Sequence, residues 1–161
     1  MPLPDINAMH PQIQLALEHW RRMAPGKGLL PGRQHFDPID VPRLLPNLWM
    51  LDVQREPLRF RCRLLGTHVQ QAGAKARVGL WLDETYDAET LEKVLDFLAP
   101  LIERGEPNWR KGTPVLPHLR QVQSLEVIAL PMASNGSDVD LILNVTVFSW
   151  ESGWKPRVLG G

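Results

Sequence analysis

Three arginines stand at alternate positions in the stretch RFRCRLLGT, as Arg59, Arg61 and Arg63. Alternate side chains of a β-strand point to the same face, so this spacing would form one basic row. Such a row could bind phosphate or nucleic acid, pair with carboxylates across a protein contact, or cover the solvent side of a sheet. The solvent-side interpretation is favoured because the row lacks the interleaved aromatic residues of a single-strand platform.

A second group with chemical potential is Asp83, Glu84, Tyr86 and Asp87, whose side chains could act as general acids or bases. Carboxylates beside a helix start more often serve as caps, and nothing in the sequence pairs them with a nucleophile. The five histidines show no metal-ligand spacing; they are His10, His19, His35, His68 and His118. The sequence therefore predicts neither a catalytic nor a metal site.

Composition narrows the class of protein. The 161 residues contain 18 Lys and Arg and 18 Asp and Glu, a balance that argues against a nucleic-acid partner. The single cysteine, Cys62, allows no intrachain disulfide and fits a reducing compartment. The N-terminus lacks the pattern of a signal peptide, and no apolar run is long enough to span a membrane. A soluble, cytoplasmic protein of one domain is the expectation.

The elements that must position these residues follow from periodicity. Helical spacing of Ile13, Leu17 and Trp20 predicts a helix over residues 11–23 with one apolar stripe. A proline-rich linker follows, with one short helical turn near residues 41–45. Alternation then predicts two strands, residues 48–53 and 59–65. In the second strand Phe60, Cys62 and Leu64 would point inward while the arginines point outward.

The second half of the chain contains one firm helix and three strands. Short helical pieces are expected around residues 68–72 and 80–84, and Asp87 begins a helix that runs to Arg104. Strand-like runs then cover residues 108–116, 123–132 and 139–150, and Asn135-Gly136 predicts a hairpin between the last two. This order indicates an α+β fold with one antiparallel sheet and helices on one face.

Several short motifs give this order a family resemblance. They are His19-Trp20, Leu30-Pro31-Gly32-Arg33, Phe36-Asp37-Pro38, Leu44-Leu45-Pro46, Arg59-Phe60-Arg61, Arg63-Leu64-Leu65-Gly66-Thr67 and Gly79. Over roughly residues 10–150 the chain resembles a stand-alone bacterial PAS-like family. The resemblance implies a five-stranded antiparallel sheet plus an N-terminal helix. We expect a helical extension and proline-rich linker over residues 1–46, a PAS-like core over 47–150 and a tail over 151–161.

PAS cofactors leave recognisable signatures, and this chain lacks them. Arg61-Cys62-Arg63-Leu64-Leu65-Gly66 is similar to the motif whose cysteine forms a flavin adduct in some PAS domains. That motif lies on a helix, however, whereas Cys62 lies in a predicted strand and behaves as a small apolar residue. Well-known haem-binding PAS sensors use a histidine of the long helix, and residues 87–104 contain none. The cofactor is therefore unknown, and a small organic ligand remains open.

A ligand would occupy the space between sheet and helices. The expected lining residues are Phe60, Cys62, Leu64, Trp81, Leu95, Leu98 and Val145. The final strand offers either Leu141, Leu143, Val145 and Val147 or the opposite set Ile142, Asn144 and Phe148. These residues would equally form a dry core, which the sequence favours.

Taken together, these features predict a cytoplasmic PAS-type signalling module with no catalytic activity, which senses a small molecule or docks a regulatory protein. Its signal would leave through an interface formed by Ile13, Leu17, Trp20, Arg59, Arg61 and Arg63, and a homodimer is expected. The alternative is a small isomerase or dehydratase on a cone-shaped α+β fold, acting on an apolar substrate. That enzyme needs an inward carboxylate or histidine, whereas the residues expected near such a wall are Asn144 and Thr146.

Overall fold

Five strands pair into one antiparallel sheet, in the order β2-β1-β5-β4-β3. The computed structural model of the chain describes residues 3–114 and 121–151. The strands are β1 (Leu48–Gln54), β2 (Arg59–Leu65), β3 (Asn108–Gly112), β4 (Val122–Met132) and β5 (Leu141–Trp150). The α+β architecture expected from the sequence is confirmed. Residues 115–116 of the third predicted strand and residues 152–161 of the expected tail lie outside the described residues.

The helices begin and end where local chemistry favours it. They are α1 (Pro11–Met23), α2 (Thr67–Gln71), α3 (Leu82–Thr85) and α4 (Ala88–Arg104), with a 3₁₀ segment at Pro42–Asn47. The Asp87 carboxylate accepts the Thr90 N–H at 2.8 Å and so caps the start of α4. Gly105 takes a left-handed φ of 63° and ends this helix. None of the described helices is long and apolar enough to cross a membrane.

The apolar stripe of α1 is covered by the sheet of the same chain. Ile13 and Leu17 are 0% and 1% exposed, and they pack in one cluster with sheet residues such as Ile128 and Val145. The Trp20 indole N–H donates to the Pro131 carbonyl at 2.8 Å. The expectation that Ile13 and Leu17 form an interface is therefore wrong, because their burial within the domain leaves no surface for a partner. We call this side of the sheet the outer face.

The opposite side, the inner face, packs against α3 and α4. Phe60 and Cys62 are buried there with Leu82, Leu98 and Leu101. Phe60 and Cys62 thus point inward, as the sequence predicts. Apolar residues cover both faces of the sheet, so this domain contains two apolar layers, one under α1 and one under α4.

A register shift reverses the alternation at the end of β2. Met50 pairs with Leu64 and Leu51 pairs with Cys62, so Arg63 is an extra residue in the ladder. Leu64 consequently points away from the inner face and is 39% exposed, while Leu65 turns inward. The expectation that Leu64 lines the cavity is wrong because simple alternation does not continue through a bulge.

The register of β5 decides which of its residues point inward. Val145 pairs with Leu48 and Ile128, and all three belong to the cluster under α1. Val145 thus lies on the outer face, contrary to the expectation that it lines the cavity. The alternative set, which includes Ile142 and Asn144, occupies the inner face.

Candidate functional site: a cavity on the inner face

A cavity of about 560 Å³ lies between the inner face and α4. Its sheet wall consists of Trp49, Leu65, Arg110, Leu125, Val127, Thr146 and Phe148. Its helix wall consists of Lys93, Val94, Asp96, Phe97 and Leu98, and the segment between β2 and α4 adds Val69, Ala74, Ala76 and Tyr86. Most of these side chains are apolar, as in sites that bind small organic molecules.

Cross-strand pairing places one row of residues along the floor of the cavity. Arg110 of β3 is opposite Val127 of β4, and Val127 is opposite Thr146 of β5. Directly paired residues of neighbouring strands share a face, so the three side chains lie side by side. The row therefore runs from a guanidinium group through an apolar residue to a hydroxyl.

Two N–H donors, one indole and one amide, hold Thr146 at the hydroxyl end of this row. The Trp49 indole N–H donates to Thr146 Oγ1 at 3.2 Å, and Asn47 Nδ2 donates to the Thr146 carbonyl at 2.9 Å. Thr146 Oγ1 keeps its own hydrogen for donation. The wall thus offers a hydrogen-bond donor at a fixed position.

Next to Thr146 on the inner face, Asn144 is fully buried and incompletely satisfied. Its Nδ2 donates to the Trp49 carbonyl at 3.4 Å, while its Oδ1 has no hydrogen-bond partner within the described part of the chain. A buried acceptor without a donor is costly, so a pure packing role does not account for an asparagine at this position.

Two titratable groups beside the cavity are held neutral by burial. Burial raises the pKa of Tyr86 to about 12, and the nearby Cys62 thiol adds to the shift. Burial also raises the pKa of Cys62, whose Sγ lies 3.8 Å from the Leu64 carbonyl oxygen. A thiol in this state is a poor nucleophile at neutral pH, which fits the small-hydrophobe role expected from the sequence.

Three charged side chains line the cavity: Lys93 and Asp96 on α4, and Arg110 on β3. Lys93 pairs with Glu89 at 3.6 Å on the surface of α4, and Asp96 lies about one turn further along. The Arg110 guanidinium donates to the Thr113 carbonyl. Among the carboxylates of residues 3–114 and 121–151, none forms an ion pair with Arg110.

The residues predicted to line the cavity are distributed over several places. Leu98 lines it, whereas Phe60 and Cys62 lie in the buried core beside it, and Leu95 packs against that core without reaching the cavity. Phe60 and Cys62 are thus packed in an apolar core, and the cavity lies next to that core.

Several lining residues were not found by sequence reasoning. It did not assign Trp49, Arg110 or Val127 to the lining, and it placed Thr146 near an inner wall without assigning it to the cavity. The polar pair Asn144 and Thr146 within an apolar strand was the available signal.

The arginine row pairs with carboxylates of the same chain. Arg59 binds Asp83 with two hydrogen bonds, of 2.7 and 2.9 Å. Arg61 and Arg63 share Asp52, at 3.4 and 3.1 Å. The hydrogen bonds from the Arg59 guanidinium lower the pKa of the Asp83 carboxyl, because they stabilise its charged form. These pairs are exposed, so each contributes little to stability.

Trp81 belongs to this charged surface and not to the cavity. The Arg59 guanidinium carbon lies 4.3 Å from the centroid of the Trp81 ring, and that of Arg61 lies 5.5 Å from it. Both distances suit cation–π contacts. The expectation that Trp81 lines the cavity is wrong because its short pairing with Arg61 turns the indole to the arginine side of β2. We call Arg59, Arg61, Arg63 and Trp81, with Asp52 and Asp83, the arginine surface.

The acidic group near α4 has structural contacts. Asp83 pairs with Arg59, the Glu84 carboxylate accepts the Trp81 N–H at 2.8 Å, and Asp87 caps α4. The Thr90 hydrogen bond lowers the pKa of Asp87, because it stabilises the charged carboxylate. Among the described residues, no three of the side chains His, Cys, Asp and Glu come together in a cluster that could hold a metal ion.

The strand order and the cavity between sheet and long helix define an α+β domain of the PAS type. Residues 8–147 match the family described as PAS domain, and the chain belongs to that family. PAS domains are generally signalling and sensory modules without catalytic activity. No curated protein and no solved structure matches the chain.

Proposed function

We propose that the chain is a cytoplasmic sensor that binds a small, mainly apolar molecule in the inner-face cavity and has no catalytic activity of its own. The single observation that carries this proposal is the cavity. Its volume of about 560 Å³ falls within the range of roughly 300–1,000 Å³ typical of small-molecule sites. Protein interiors are normally close-packed, so filling such a space would stabilise the domain. An open cavity beside a packed core therefore favours a binding role.

The enzyme alternative has less support. Within the described lining, Asp96 is the one carboxylate, and it lies exposed on α4 without a histidine beside it. The neighbouring polar groups Asn144 and Thr146 donate and accept hydrogen bonds but do not exchange protons near neutral pH. Binding without chemistry is the simpler use of such a wall.

A cavity-filling substitution tests the sensing proposal. Nile red, a neutral apolar dye, is expected to bind the native chain with increased fluorescence. Ala74 is a partly exposed lining residue, and Ala74→Phe would place a large ring in the space that the dye occupies. Dye affinity should therefore fall by at least about tenfold. Titration of dye fluorescence measures both affinities.

The matched control is Ala88→Phe, which adds the same ring at an exposed position outside the cavity lining. It should leave dye affinity unchanged, and circular dichroism should show that both variants are folded. An absence of dye binding to the native chain, or equal binding to Ala74→Phe, would contradict the proposal.

For the output, we propose contact with a second copy through the arginine surface. Among the described residues, α1 packs mainly on β4 and β5, and Arg61 and Arg63 stay exposed. Both charge signs are present there, with Arg61 and Arg63 sharing the single carboxylate of Asp52. A two-fold contact brings the same patch together twice, so a patch with both signs can complement itself. The exposed Leu64 adds apolar area beside these charges.

A further inference from the structure

We infer that the ligand of the inner-face cavity is an amphipathic organic acid, with an apolar body against α4 and one carboxylate against Arg110. This inference rests on the proposed sensing function and deepens it by naming the class of ligand. Four observations carry it: the charge pattern of the walls, the position of Arg110, its missing partner and the hydroxyl at the other end of the row.

The helix wall carries one charge of each sign, on Lys93 and Asp96. Lys93 and Asp96 are three residues apart on α4 and therefore neighbours on its surface, and Lys93 also pairs with Glu89. Arg110 lies on the sheet wall opposite α4, in one row with Val127 and Thr146. The sheet wall thus presents one cation to a mostly apolar space.

Arg110 is partly buried, and most of its N–H donors have no partner among the described residues. One of its nitrogens donates to the Thr113 carbonyl, and no described carboxylate pairs with it. A guanidinium group has five N–H donors in a planar fork that fits a carboxylate with two parallel hydrogen bonds. Removing this cation further from water would be unfavourable unless an anion accompanies it, so an acid suits the site better than a neutral molecule.

The rest of the floor limits what the acid can be. Beyond Arg110 the next residue is Val127, and its neighbours Leu125 and Phe148 are apolar. A ligand whose head binds Arg110 therefore places a hydrocarbon or aromatic body over these side chains, while the Thr146 hydroxyl is left as one donor for a polar substituent. A sugar phosphate or an amino acid would lose hydration along this surface without compensation.

Two molecules with the same chain and different heads test the inference: decanoic acid and decanol. Each is expected to displace Nile red from the native chain, and displacement is followed by fluorescence at neutral pH. An additional pair of charged hydrogen bonds should make decanoate bind roughly ten- to hundredfold more tightly than decanol. Higher ionic strength should reduce this preference, because one ion pair forms on binding.

Arg110→Gln should abolish the preference for the acid while decanol affinity stays unchanged. Lys111→Gln is the matched control, because it removes the same charge from the next residue of β3, which is exposed and outside the lining. It should keep the preference. Arg110→Lys should keep part of it, because a lysine supplies the charge without the fork.

The outcomes separate the two proposals. If decanol binds as tightly as decanoate, or if Arg110→Gln keeps the native preference, the acid inference is overturned and the sensing function stands. If neither molecule displaces the dye and the dye itself does not bind, both are overturned. The comparison of the two heads on the native chain needs no variant, so a poorly folded variant does not affect it.

Discussion

At the scale of residues, Tyr86 reports directly on the cavity. It is the single tyrosine of the chain and lines the cavity wall. Burial raises its pKa to about 12, which means that the folded chain holds the phenol proton more tightly than the unfolded chain. Titration of the phenol is therefore assignable to one group and sensitive to how dry the cavity is.

We expect phenolate absorbance of the native chain to appear near its raised pKa of about 12. In the chain unfolded by denaturant the tyrosine titrates near about pH 10, so the unfolded state loses the proton first. The contribution of this group to the free energy of unfolding is therefore complete below about pH 10. It declines as the pH rises towards about 12, and the total loss is about 2–3 kcal/mol.

Tyr86→Phe is the control, because it should remove the late absorbance change and this part of the pH dependence of the free energy of unfolding. Parallel unfolding curves across the alkaline range measure the second effect. A native chain whose phenolate appears near the pKa of an ordinary tyrosine would show that Tyr86 is solvated and that the cavity is open to water at this wall.

At the scale of elements, Gly66 holds β2 and the 3₁₀ segment Pro42–Asn47 together. Its N–H donates to the Leu48 carbonyl at 2.7 Å. A Cβ on Gly66 would lie 2.5 Å from the carbonyl oxygens of both Leu45 and Pro46. Backbone atoms of a packed segment cannot move aside as a flexible side chain does, so the close approach requires glycine here.

Gly66→Ala should therefore lower the free energy of unfolding by about 1–3 kcal/mol, the usual cost of overpacking. Gly26→Ala is the matched control: its added Cβ would meet only a side-chain carbon of Leu29, at an ordinary 3.5 Å. This control should change stability by less than about 0.5 kcal/mol. Urea unfolding measures both, and equal stabilities would refute the tight contact.

At the scale of the whole molecule, α1 is part of the domain and not a detachable arm. Its stripe is buried in the same cluster as Met50 and Leu143 of the sheet, and the family match runs continuously over residues 8–147. Ile13 and Leu17 of this stripe are buried and therefore offer no surface to a partner. Among the described residues, the arginine surface is an exposed part of the outer face.

Self-association should consequently depend on the charges of this surface. Sedimentation velocity over a range of concentrations should show a dimer that dissociates on dilution, and Arg63→Glu should weaken it because like charges then meet across the two-fold axis. Arg104→Glu, a reversal at the exposed end of α4, is the control and should associate as the native chain does. A native chain that stays monomeric at every concentration would exclude this contact.

Local sequence was sufficient for the element order and for much of the sheet. Each helix and strand follows from periodicity, capping and turn residues within a short window. Asp87 and Gly105 lie at the boundaries that those rules give, and Asn135-Gly136 lies within the loop that joins β4 and β5. The inward direction of Phe60 and Cys62 also follows, because charged residues alternate with them on one strand.

Tertiary structure alone decided which side chains meet. Alternation in β5 divides its residues into two sets that point to opposite faces. Apolar layers cover both faces of this sheet, so the sequence does not show which set points inward. The pairing of Asn144 with Trp49 places the set that contains Asn144 on the inner face. The bulge at Arg63 and the position of Trp81 likewise depend on contacts between distant segments. The cavity floor, which joins Arg110 to Thr146 across three strands, exists only through that long-range register.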